Sequence, residues 1–356
     1  LDGISIYRFP RLEAQARLLS YVLEYGIALC FIFWLSLKIW RRHGFDVVHA
    51  ANPPDILFLI GLFYRCFGKK FVFDQHDLSP ELFQVLASRR VSWLLHLFAL
   101  LEKCSCRCAH LVITANESCK GLLQKRGSCA ARKVCVVRSG VELEPVELVA
   151  QPFFPSRKKY VLAYVGVMGQ QDGVEYALYA LYYLVYIYGQ RDVSAVFIGS
   201  GSMLGELRAL AHRLELDDHV FFTGWLEMRG VRSYLAQADI GLIPDPQNGL
   251  NEFCTLLKAL EYMAMGLPVV AFDLAETRVS TGDAALYARP NEVADFAWQL
   301  VLLLDHEDWR WRMGAIGRQR IAELFNWERS SKDLLAAYER LFVCEQAGQS
   351  GLASDP

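Results

Sequence analysis

The sequence predicts an α/β protein of two Rossmann-like domains, each built on a parallel sheet. Apolar, β-branched runs alternate with helical segments along most of the chain, which is typical of parallel strands joined by crossover helices. A charged, Pro-containing stretch at 151–159 interrupts this alternation, which restarts at Tyr160. The chain has 356 residues, more than one hydrophobic core usually serves.

The composition is that of a folded globular protein with no basic field for nucleic acid. Of the residues, 53% are hydrophobic and 21% are charged, which allows sizeable buried cores. The net charge is −2 and the pI is near 6.5. We therefore expect no nucleic-acid partner.

The ten cysteines match neither a disulfide scaffold nor a zinc site. Disulfide scaffolds are short secreted chains, and this chain is long. Cys104, Cys106 and Cys108 alternate, whereas zinc sites favour pairs two to four residues apart with a second pair elsewhere. We expect reduced thiols and no metal.

The first domain is predicted at 1–150. Gly3–Arg11 predicts a short strand, and Asp46–Ala50 and Lys69–Phe73 predict two further strands. Asp55 is expected to cap the helix Ile56–Phe67 between the last two. Ligands of parallel sheets bind at the carboxyl ends of strands, and polar residues are concentrated there: His49, His76, Asp77 and Glu81.

Leu18–Trp40 is the most apolar segment. The uncharged run between Glu24 and Lys38 spans about 20 Å as a helix, short of the roughly 30 Å hydrocarbon core of a bilayer. It is therefore a poor transmembrane segment. It could pack against the sheet or lie in a membrane interface beside Lys38, Arg41 and Arg42. The aromatic residues of the segment favour membrane contact.

The second domain, at 160–325, contains two glycine turns between a strand and a helix. Gly166–Gly173 and Gly199–Ser202 are expected to leave backbone N–H groups free for a diphosphate. The absence of Gly-x-Gly-x-x-Gly spacing argues against a dinucleotide enzyme. The candidate donor-binding glycines are Gly166, Gly169, Gly199 and Gly201.

Asn251–Ala271, NEFCTLLKALEYMAMGLPVVA, carries the strongest local signal. A helix is predicted from Thr255 to Met265, stopped by Gly266 and Pro268 and followed by a buried strand. A helix N-terminus suits a phosphate, and acidic side chains can bind sugar hydroxyls. The alternative is an ordinary surface helix.

The order of these motifs resembles the large family of retaining glycosyltransferases with the GT-B fold, of the polysaccharide-biosynthesis type. The resemblance runs from about Phe45 to Phe342. It implies two domains facing a cleft, with an acceptor in the first and a nucleoside diphosphate sugar in the second. It also implies a helix at 326–343 that crosses back to the first domain, while the small polar tail at 344–356 is expected to be disordered. Its motifs are FDVVHAANPPD, FVFDQHDLSPE, YVGVMGQQDGVEYAL, IGSGS, HVFFTGWL, LAQADIGLIP, LKALEYMAMGLPVVA and FNWE.

The resemblance assigns Glu261 to the ribose hydroxyls of the donor. The family's second, earlier glutamate, which holds the transferred sugar, falls on Phe253, with Glu252 beside it. Either the loop shifts so that Glu252 serves in catalysis, or backbone amides around Cys254 and Thr255 replace it.

The family's diphosphate-binding Arg and Lys are missing here, because their positions hold Val167 and Asp172. Lys258 or Arg138 could supply the counter-charge instead. His76 corresponds to the family's catalytic histidine. Asp77 and Glu81 would orient it or hold acceptor hydroxyls, and His49 would support it. The family's first strand and glycine-rich acceptor loop have no match here: they lie upstream of Leu1 or are absent.

The function implied is sugar transfer with retention to a glycan or lipid-linked acceptor in exopolysaccharide or related biosynthesis. No cofactor is expected, and the location would be cytoplasmic, at the inner face of the cell membrane. One alternative is a catalytically impaired GT-B relic that scaffolds glycan assembly. A nucleotide-sugar epimerase on the same fold fits the motifs less well.

Overall fold

The computed structural model describes residues 3–10, 18–86, 92–141, 154–155 and 157–349. Within these ranges the chain forms two compact α/β units with parallel sheets, as predicted.

The division between the two units falls between Val137 and Arg138, before the predicted linker at 151–159. The first takes its described residues from Leu1–Phe83, Arg89–Val137 and Leu334–Pro356. The second takes its described residues from Gln84–Ser88 and Arg138–Asp333. The last helix therefore starts in the second unit and ends in the first.

The first unit is built on a parallel sheet of order β1-β2-β3-β4. Its strands are β1 Val47–Ala51, β2 Lys70–Gln75, β3 Leu111–Thr114 and β4 Val134–Val136. Its helices are α1 Leu18–His43, α2 Phe58–Arg65, α3 Ser79–Leu86, α4 Ser92–Cys108 and α5 Glu117–Lys125, with 3-10 turns at Asp55–Leu57 and Ala131–Lys133. The register pairs Ala51 with Asp74, so both loops that follow β1 and β2 leave the sheet at the same edge.

The second unit is built on a parallel sheet of order β10-β9-β8-β5-β6-β7. Its strands are β5 Tyr160–Val165, β6 Val193–Ile198, β7 Val220–Gly224, β8 Ile240–Ile243, β9 Val269–Phe272 and β10 Ala285–Ala288. Its helices are α6 Val174–Tyr182, α7 Leu204–Arg213, α8 Met228–Leu235, α9 Leu257–Met265, α10 Ala275–Thr281, α11 Val293–Asp305 and α12 Glu307–Leu324, followed by α13 Trp327–Gln349. A π-helical turn, Tyr183–Ile187, extends α6, and 3-10 turns lie at Gln170–Asp172, Asn251–Phe253 and Gly282–Ala284.

Apolar side chains fill both faces of each sheet. In the first unit Cys106 and Cys108 pack with Phe71 and Phe73 on one face, and Ala337 and Leu341 of α13 cover the other. Two buried clusters cover the faces of the second sheet. Burial on both faces explains why these strands read as continuous apolar runs.

Two local predictions in the first unit are wrong. Gly3–Pro10, the described part of the predicted first strand, forms no strand, and Ile4 and Ile6 are exposed. Asp55 does not cap α2: its buried carboxylate accepts hydrogen bonds from Asn52 and Ser79 instead. A nearby buried polar partner competes for the same oxygen atoms.

The linker and tail predictions fall partly on residues outside the described ranges, namely 142–153, 156 and 350–356. The described part of the linker is attached to the second unit, because Phe154 stacks on Phe221 at 5.8 Å. Helix α13 continues to Gln349, beyond the predicted end at 343. Helices α3, α10 and α12 and strand β10 were not predicted.

Helix α1 is longer than its uncharged run, and none of its residues from Leu23 to His43 is buried. These 21 residues are long and apolar enough to cross a membrane by length and composition alone. One side of α1 nevertheless contacts α2, where the Phe33 and Phe63 rings meet at 5.0 Å.

Helix α12 crosses the end of α9 at a point where only glycine fits. A Cβ added to Gly314 would overlap the carbonyl oxygen of Gly266. Gly266 itself ends α9 in the left-handed conformation, with φ of 73°. This close approach holds the C-terminal end of α9 in place.

We therefore predict that Gly314→Ala lowers the free energy of unfolding by about 1–3 kcal/mol, the range for an overpacked contact. The matched control is Gly205→Ala on α7, where an added Cβ meets no atom within 4 Å. Because alanine is the better helix former, the control should be more stable by about 0.5–1 kcal/mol. Urea unfolding of both variants tests this, and equal effects would contradict the tight crossing.

Candidate functional site

In the second unit, the two glycine turns contact each other at the carboxyl edge of the sheet. A Cβ at Gly199 would overlap the carbonyl oxygen of Gly166, and a Cβ at Gly201 would overlap that of Met168. Gly166 and Gly199 also have φ values of 148° and 137°, which favour glycine. The structure thus brings the predicted glycines together.

The predicted free N–H groups are not free at four positions in these turns. Gly166 N–H donates to Ile198 O at 3.0 Å, and Met168 N–H donates to Ser200 O at 3.0 Å. Gly199 N–H donates to Gly224 O at 3.0 Å, and Gly169 N–H donates to the Asp172 carboxylate at 2.9 Å. The prediction is wrong at these four positions, because the N–H groups are satisfied by the neighbouring strands, by the other turn or by a carboxylate of the same turn. The glycines provide room for close approach, and these four N–H groups provide no free donors.

Lys258 lies beside the first glycine turn and carries a buried ion pair. Its Nζ is 2.8 Å and 3.0 Å from the two Asp245 oxygens and 3.5 Å from the Tyr164 hydroxyl. The two charged side chains are only 9% and 2% exposed. A Cβ at Gly166 would lie 3.5 Å from Lys258 Cε. Asp245, which directly follows β8 and Pro244, was not identified from the sequence.

Asp172, at the position of a family cation, adds a second carboxylate near this pair. Burial raises the pKa of Asp172, and the charge of Lys258 lowers it. The turn that follows β5 therefore has one ammonium group facing two carboxylates. A negatively charged ligand here needs further positive charge, or must compete with Asp245 for Lys258.

Glu261 lies one helical turn after Lys258 on α9, half-buried. Burial raises the pKa of Glu261, while the charges of Arg232 and Lys258 lower it. Among the described residues, its carboxylate makes no hydrogen bond or ion pair. A carboxylate in this state can accept hydrogen bonds from a ligand's hydroxyl groups without breaking a protein contact.

Glu252 lies in the 3-10 turn before α9, and both of its carboxylate oxygens are engaged. One accepts a hydrogen bond from Gln247 Nε2 at 2.6 Å, and the other from the Ala275 N–H at 3.1 Å. Ala275 is the first residue of α10, so Glu252 satisfies a free N–H group at that helix start. Its contacts tie the loop before α9 to α10.

The residues between Glu252 and α9 are also fixed. The Cys254 N–H donates to Asn251 O at 3.3 Å. The Thr255 hydroxyl donates to the buried Glu276 carboxylate at 3.3 Å, and Arg138 NH1 donates to the same oxygen at 3.3 Å. Helix α9 therefore starts two residues later than predicted, at Leu257. Glu276 was not identified from the sequence because its partners are distant along the chain.

In the first unit, Asp74 connects the two predicted histidines. Its Oδ2 lies 3.0 Å from His49 Nε2 and 3.1 Å from His76 Nε2. His49 Nδ1 also bonds the hydroxyl of Tyr338 on α13. With each Nε2–H donating to Asp74, the other nitrogen of exposed His76 carries a lone pair. Asp74 and Tyr338 were not identified from the sequence.

Asn52 holds the loop that carries His76. Its Oδ1 accepts hydrogen bonds from the His76 N–H at 2.8 Å and the Asp77 N–H at 3.2 Å. Its Nδ2 donates to Asp77 O at 2.8 Å and to Asp55 at 3.2 Å. Burial raises the pKa of the Asp77 carboxyl, and His76 lowers it. One buried amide thus fixes the backbone between β2 and α3.

Glu81 lies apart from this group. Its carboxylate is buried and pairs with Arg126, which also binds Glu102 at 3.1 Å. Gln75 and Ser128 donate to Glu102 at 3.3 Å and 3.0 Å. Glu81 therefore belongs to a buried charge network behind the histidines, and does not orient His76 directly. Among the described residues, no group of three or more His, Cys, Asp or Glu is arranged to hold a metal ion.

Two family models match the chain. The model for "Glycosyl transferases group 1" matches residues 159–306, and the model for "Glycosyltransferase Family 4" matches residues 11–145. The chain belongs to the group 1 and family 4 glycosyltransferases. The predicted group 1 and family 4 glycosyltransferase membership is confirmed, while retention and the polysaccharide-biosynthesis type stay predictions.

Two curated glycosyltransferases illustrate how far the similarity extends. An uncharacterized glycosyltransferase of Methanocaldococcus jannaschii is 22% identical over 358 residues, which cover 96% of this chain and 85% of that protein. The MMP alpha-(1->4)-mannosyltransferase of Mycolicibacterium hassiacum is 29% identical over 154 residues, 42% of this chain. That match spans only 36% of the mannosyltransferase.

Solved glycosyltransferase structures share the fold. Sucrose-phosphate synthase of Thermosynechococcus elongatus matches with a TM-score of 0.76 and 20% identity, over 94% of this chain and 83% of that one. HepE of Anabaena in complex with UDP matches with a TM-score of 0.66 and 15% identity, over 90% and 84%. At these identities the likeness shows the fold alone, and the predicted GT-B fold class is confirmed.

The Lys258–Asp245 pair should make a large contribution to stability. We predict that Asp245→Asn lowers the free energy of unfolding by about 3 kcal/mol, the low end for a broken buried pair, because Asp172 remains nearby. Adding Lys258→Met to that variant should recover part of the loss, because the buried ammonium is removed while the Asp172 carboxylate keeps its hydrogen bond from the Gly169 N–H.

The matched control for this pair is Glu328→Gln, which breaks the exposed Glu328–Lys332 pair at 2.8 Å. Its effect should stay below about 0.5 kcal/mol. Urea unfolding of the three variants tests the prediction. A double variant no more stable than Asp245→Asn would show that unpaired charge is not the cause.

Proposed function

We propose that this protein is a retaining glycosyltransferase. It moves a sugar from a nucleoside diphosphate sugar to a hydroxyl of a growing glycan or lipid-linked acceptor in polysaccharide biosynthesis. The observation that carries the proposal is the half-buried Glu261 carboxylate. It lies on α9 next to Lys258, at the edge where the two glycine turns meet, and makes no hydrogen bond among the described residues. Such a carboxylate suits the two hydroxyls of a ribose.

On the donor side, we assign Glu261 to the ribose and the glycine turns to close backbone approach by the diphosphate. Gly166, Gly169, Gly199 and Gly201 leave no side chain between the backbone and the ligand. Glu252 retains a role toward the transferred sugar if it exchanges its contact with Gln247 for a sugar hydroxyl. Its other oxygen continues to hold α10.

The positive charge for the diphosphate would come from Lys258, together with Arg232 or Arg138. Lys258 already lies beside Gly166, and a departing diphosphate would attract it away from Asp245. Arg232 acts on the same region, because its charge lowers the pKa of Glu261. Cys254 and Thr255 lie at the start of α9, where the helix dipole adds positive potential.

On the acceptor side, we assign His76 to the reacting centre, with Asp74 and His49 as its support. Asp74 holds the ring of His76 by a 3.1 Å hydrogen bond. Asp77 is half-buried next to it and can accept a hydrogen bond from an acceptor hydroxyl. Glu81 acts at a distance, through Arg126, by stabilising the start of α3.

The proposed reaction follows the retaining scheme that the family implies. The acceptor oxygen forms a bond to the anomeric carbon of the sugar while the bond from that carbon to the diphosphate breaks. The proton of the acceptor hydroxyl passes to the departing diphosphate, so no protein base is needed. The protein positions the two substrates and stabilises the developing charge, and these two effects lower the barrier most in such reactions.

For location, we propose the cytoplasmic face of the cell membrane, with peripheral contact through Leu18–Trp40. A scaffold without catalysis remains the second candidate function. The specific observation in its favour is that Asp245 already neutralises Lys258. Release of nucleoside diphosphate from a nucleotide sugar by the purified protein would exclude the scaffold.

Glu261→Ala should weaken the binding of UDP or GDP by about 10- to 100-fold, because hydrogen bonds to a charged group contribute about 1.5–3 kcal/mol. Isothermal titration calorimetry of both nucleotides measures this. The control is Glu206→Ala, an exposed carboxylate in the first turn of α7. Affinity equal to that of the unchanged protein would remove Glu261 from the donor site.

His76→Ala should lower turnover by about 100-fold and leave nucleotide affinity within about twofold. The physical reason is that its ring acts near the reacting carbon and not on the nucleotide. Release of nucleoside diphosphate measures turnover, and calorimetry measures affinity. His212→Ala is the control, because His212 is exposed and pairs only with Asp217 among the described residues. Turnover unchanged by His76→Ala would place the chemistry elsewhere.

A further inference from the structure

Three helices of the first unit carry exposed apolar side chains on their outer sides. On α4 these residues recur at i, i+4 and i+7, which places them on one face. The opposite face of α4 is buried. The exposed residues are Leu23, Phe31 and Trp34 on α1, Leu59 and Leu62 on α2, and Trp93, Leu97 and Leu100 on α4, each between 38% and 63% exposed.

The three helices lie side by side, because α2 contacts both α1 and α4. Trp40 of α1 packs against Tyr64 and Phe67 at 5.4 Å and 5.0 Å. The Arg65 guanidinium at the end of α2 bonds the Cys108 carbonyl at the end of α4. We name the surface formed by the outer sides of α1, α2 and α4 the three-helix surface.

Cations outnumber acidic residues on the three helices. The chain as a whole has a net charge of −2. On these helices, however, the acidic residues are Glu24 and Glu102, and Glu102 is buried and paired with Arg126. The cationic residues are Lys38, Arg41, Arg42, Arg65, Lys103 and Arg107.

The cations are placed as they are in interfacial helices. Lys38 Nζ lies 5.4 Å from the Trp34 ring centroid, so an aromatic ring and a cation share one position on α1. Arg41 and Arg42 follow at its exposed end. Tryptophan and arginine side chains both bind the headgroup level of a bilayer.

We propose that the three-helix surface binds an anionic lipid bilayer, with α1, α2 and α4 lying flat in its interface. The proposal rests on the membrane contact suggested above for α1 and extends it to two further helices. The excess of cations selects a negatively charged lipid surface over a neutral one. A flat position agrees with the polar contact of α1 to α2, in which Ser36 Oγ is 2.9 Å from the Tyr64 hydroxyl. A spanning α1 would have to leave that contact.

The experiment is co-sedimentation of the purified full chain with vesicles of phosphatidylcholine, with and without about 30 mol% phosphatidylglycerol, an anionic lipid that gives the vesicle a negative surface potential. The protein should bind the anionic vesicles at least about tenfold more tightly than the neutral ones and weaken in 0.5 M salt, since about 1 kcal/mol per cation is expected at such a surface. Alkaline carbonate should release it. Failure to bind the anionic vesicles, or retention through carbonate, would overturn the proposal.

Two matched double variants locate the binding surface. The variant Trp34→Glu with Trp93→Glu, on α1 and α4, should bind vesicles at least about tenfold more weakly. Each substitution replaces an exposed aromatic ring with a negatively charged carboxylate. Trp298→Glu with Trp311→Glu changes two exposed tryptophans of the second unit and should bind as the unchanged protein does. Two outcomes contradict the assignment to the three-helix surface: both double variants bind vesicles as the unchanged protein does, or both lose binding to the same extent.

Calorimetry with UDP and GDP on the same variants separates this proposal from the enzymatic one. Both double variants should bind nucleotide normally, which also shows that they are folded. Vesicle binding without any sugar transfer would overturn the proposed function and leave the three-helix surface supported. Sugar transfer without vesicle binding would support the proposed function and overturn the proposal for the three-helix surface.

Discussion

The candidate site of the second unit depends on one contact, where the backbones of the two glycine turns meet. Gly199 packs against the Gly166 carbonyl and Gly201 against that of Met168, and no side chain fits at either place. This contact lets β5 and β6 end together at the sheet edge. Lys258 then lies beside the first turn, and Glu261 follows one helical turn later. A larger residue at Gly199 would push the turns apart and displace every group that depends on them.

In the first unit, a side chain and not a backbone contact fixes the loop at the carboxyl end of the strands. Asn52 binds both the N–H and the carbonyl of Asp77 and fixes the loop that carries His76. In both units the functional groups stand where parallel strands end, because the backbone N–H and C=O groups there lack strand partners and need others. In the glycine turns, most of these groups bind other backbone groups. In the first unit, they bind the side-chain amide of Asn52.

Lys258 and Arg138, two cations of the candidate site in the second unit, each have a carboxylate partner. Asp245 neutralises Lys258, and Glu276 holds Arg138 and Thr255. Buried ion pairs seldom add stability over apolar packing, and are better explained by the arrangement that they fix. Here they fix Thr255 before α9 and Lys258 in its first turn. The Glu261 carboxylate makes no hydrogen bond or ion pair among the described residues and can accept a ligand.

Sequence alone determined the fold class, the glycosyltransferase family and most of the strands, although β10 was missed and the predicted strand at Gly3–Arg11 is not formed by its described residues. Burial on both faces of a parallel sheet leaves a continuous apolar run, so β5 begins at Tyr160, where the alternation was predicted to restart. Glycine and proline in the sequence also predicted the turns and the end of α9, because their effect on the backbone is local.

Only the tertiary structure decided which partners these residues have. Asn52, Asp74, Asp245 and Glu276 each act on residues that lie in other segments or beyond a turn, and no periodicity records such contacts. The Asp55 cap and four of the predicted free N–H groups were wrong because protein partners, some in the same turn and some in other segments, already bind these groups. Local pattern sets secondary structure, and long-range hydrogen bonding sets which polar groups remain for a ligand.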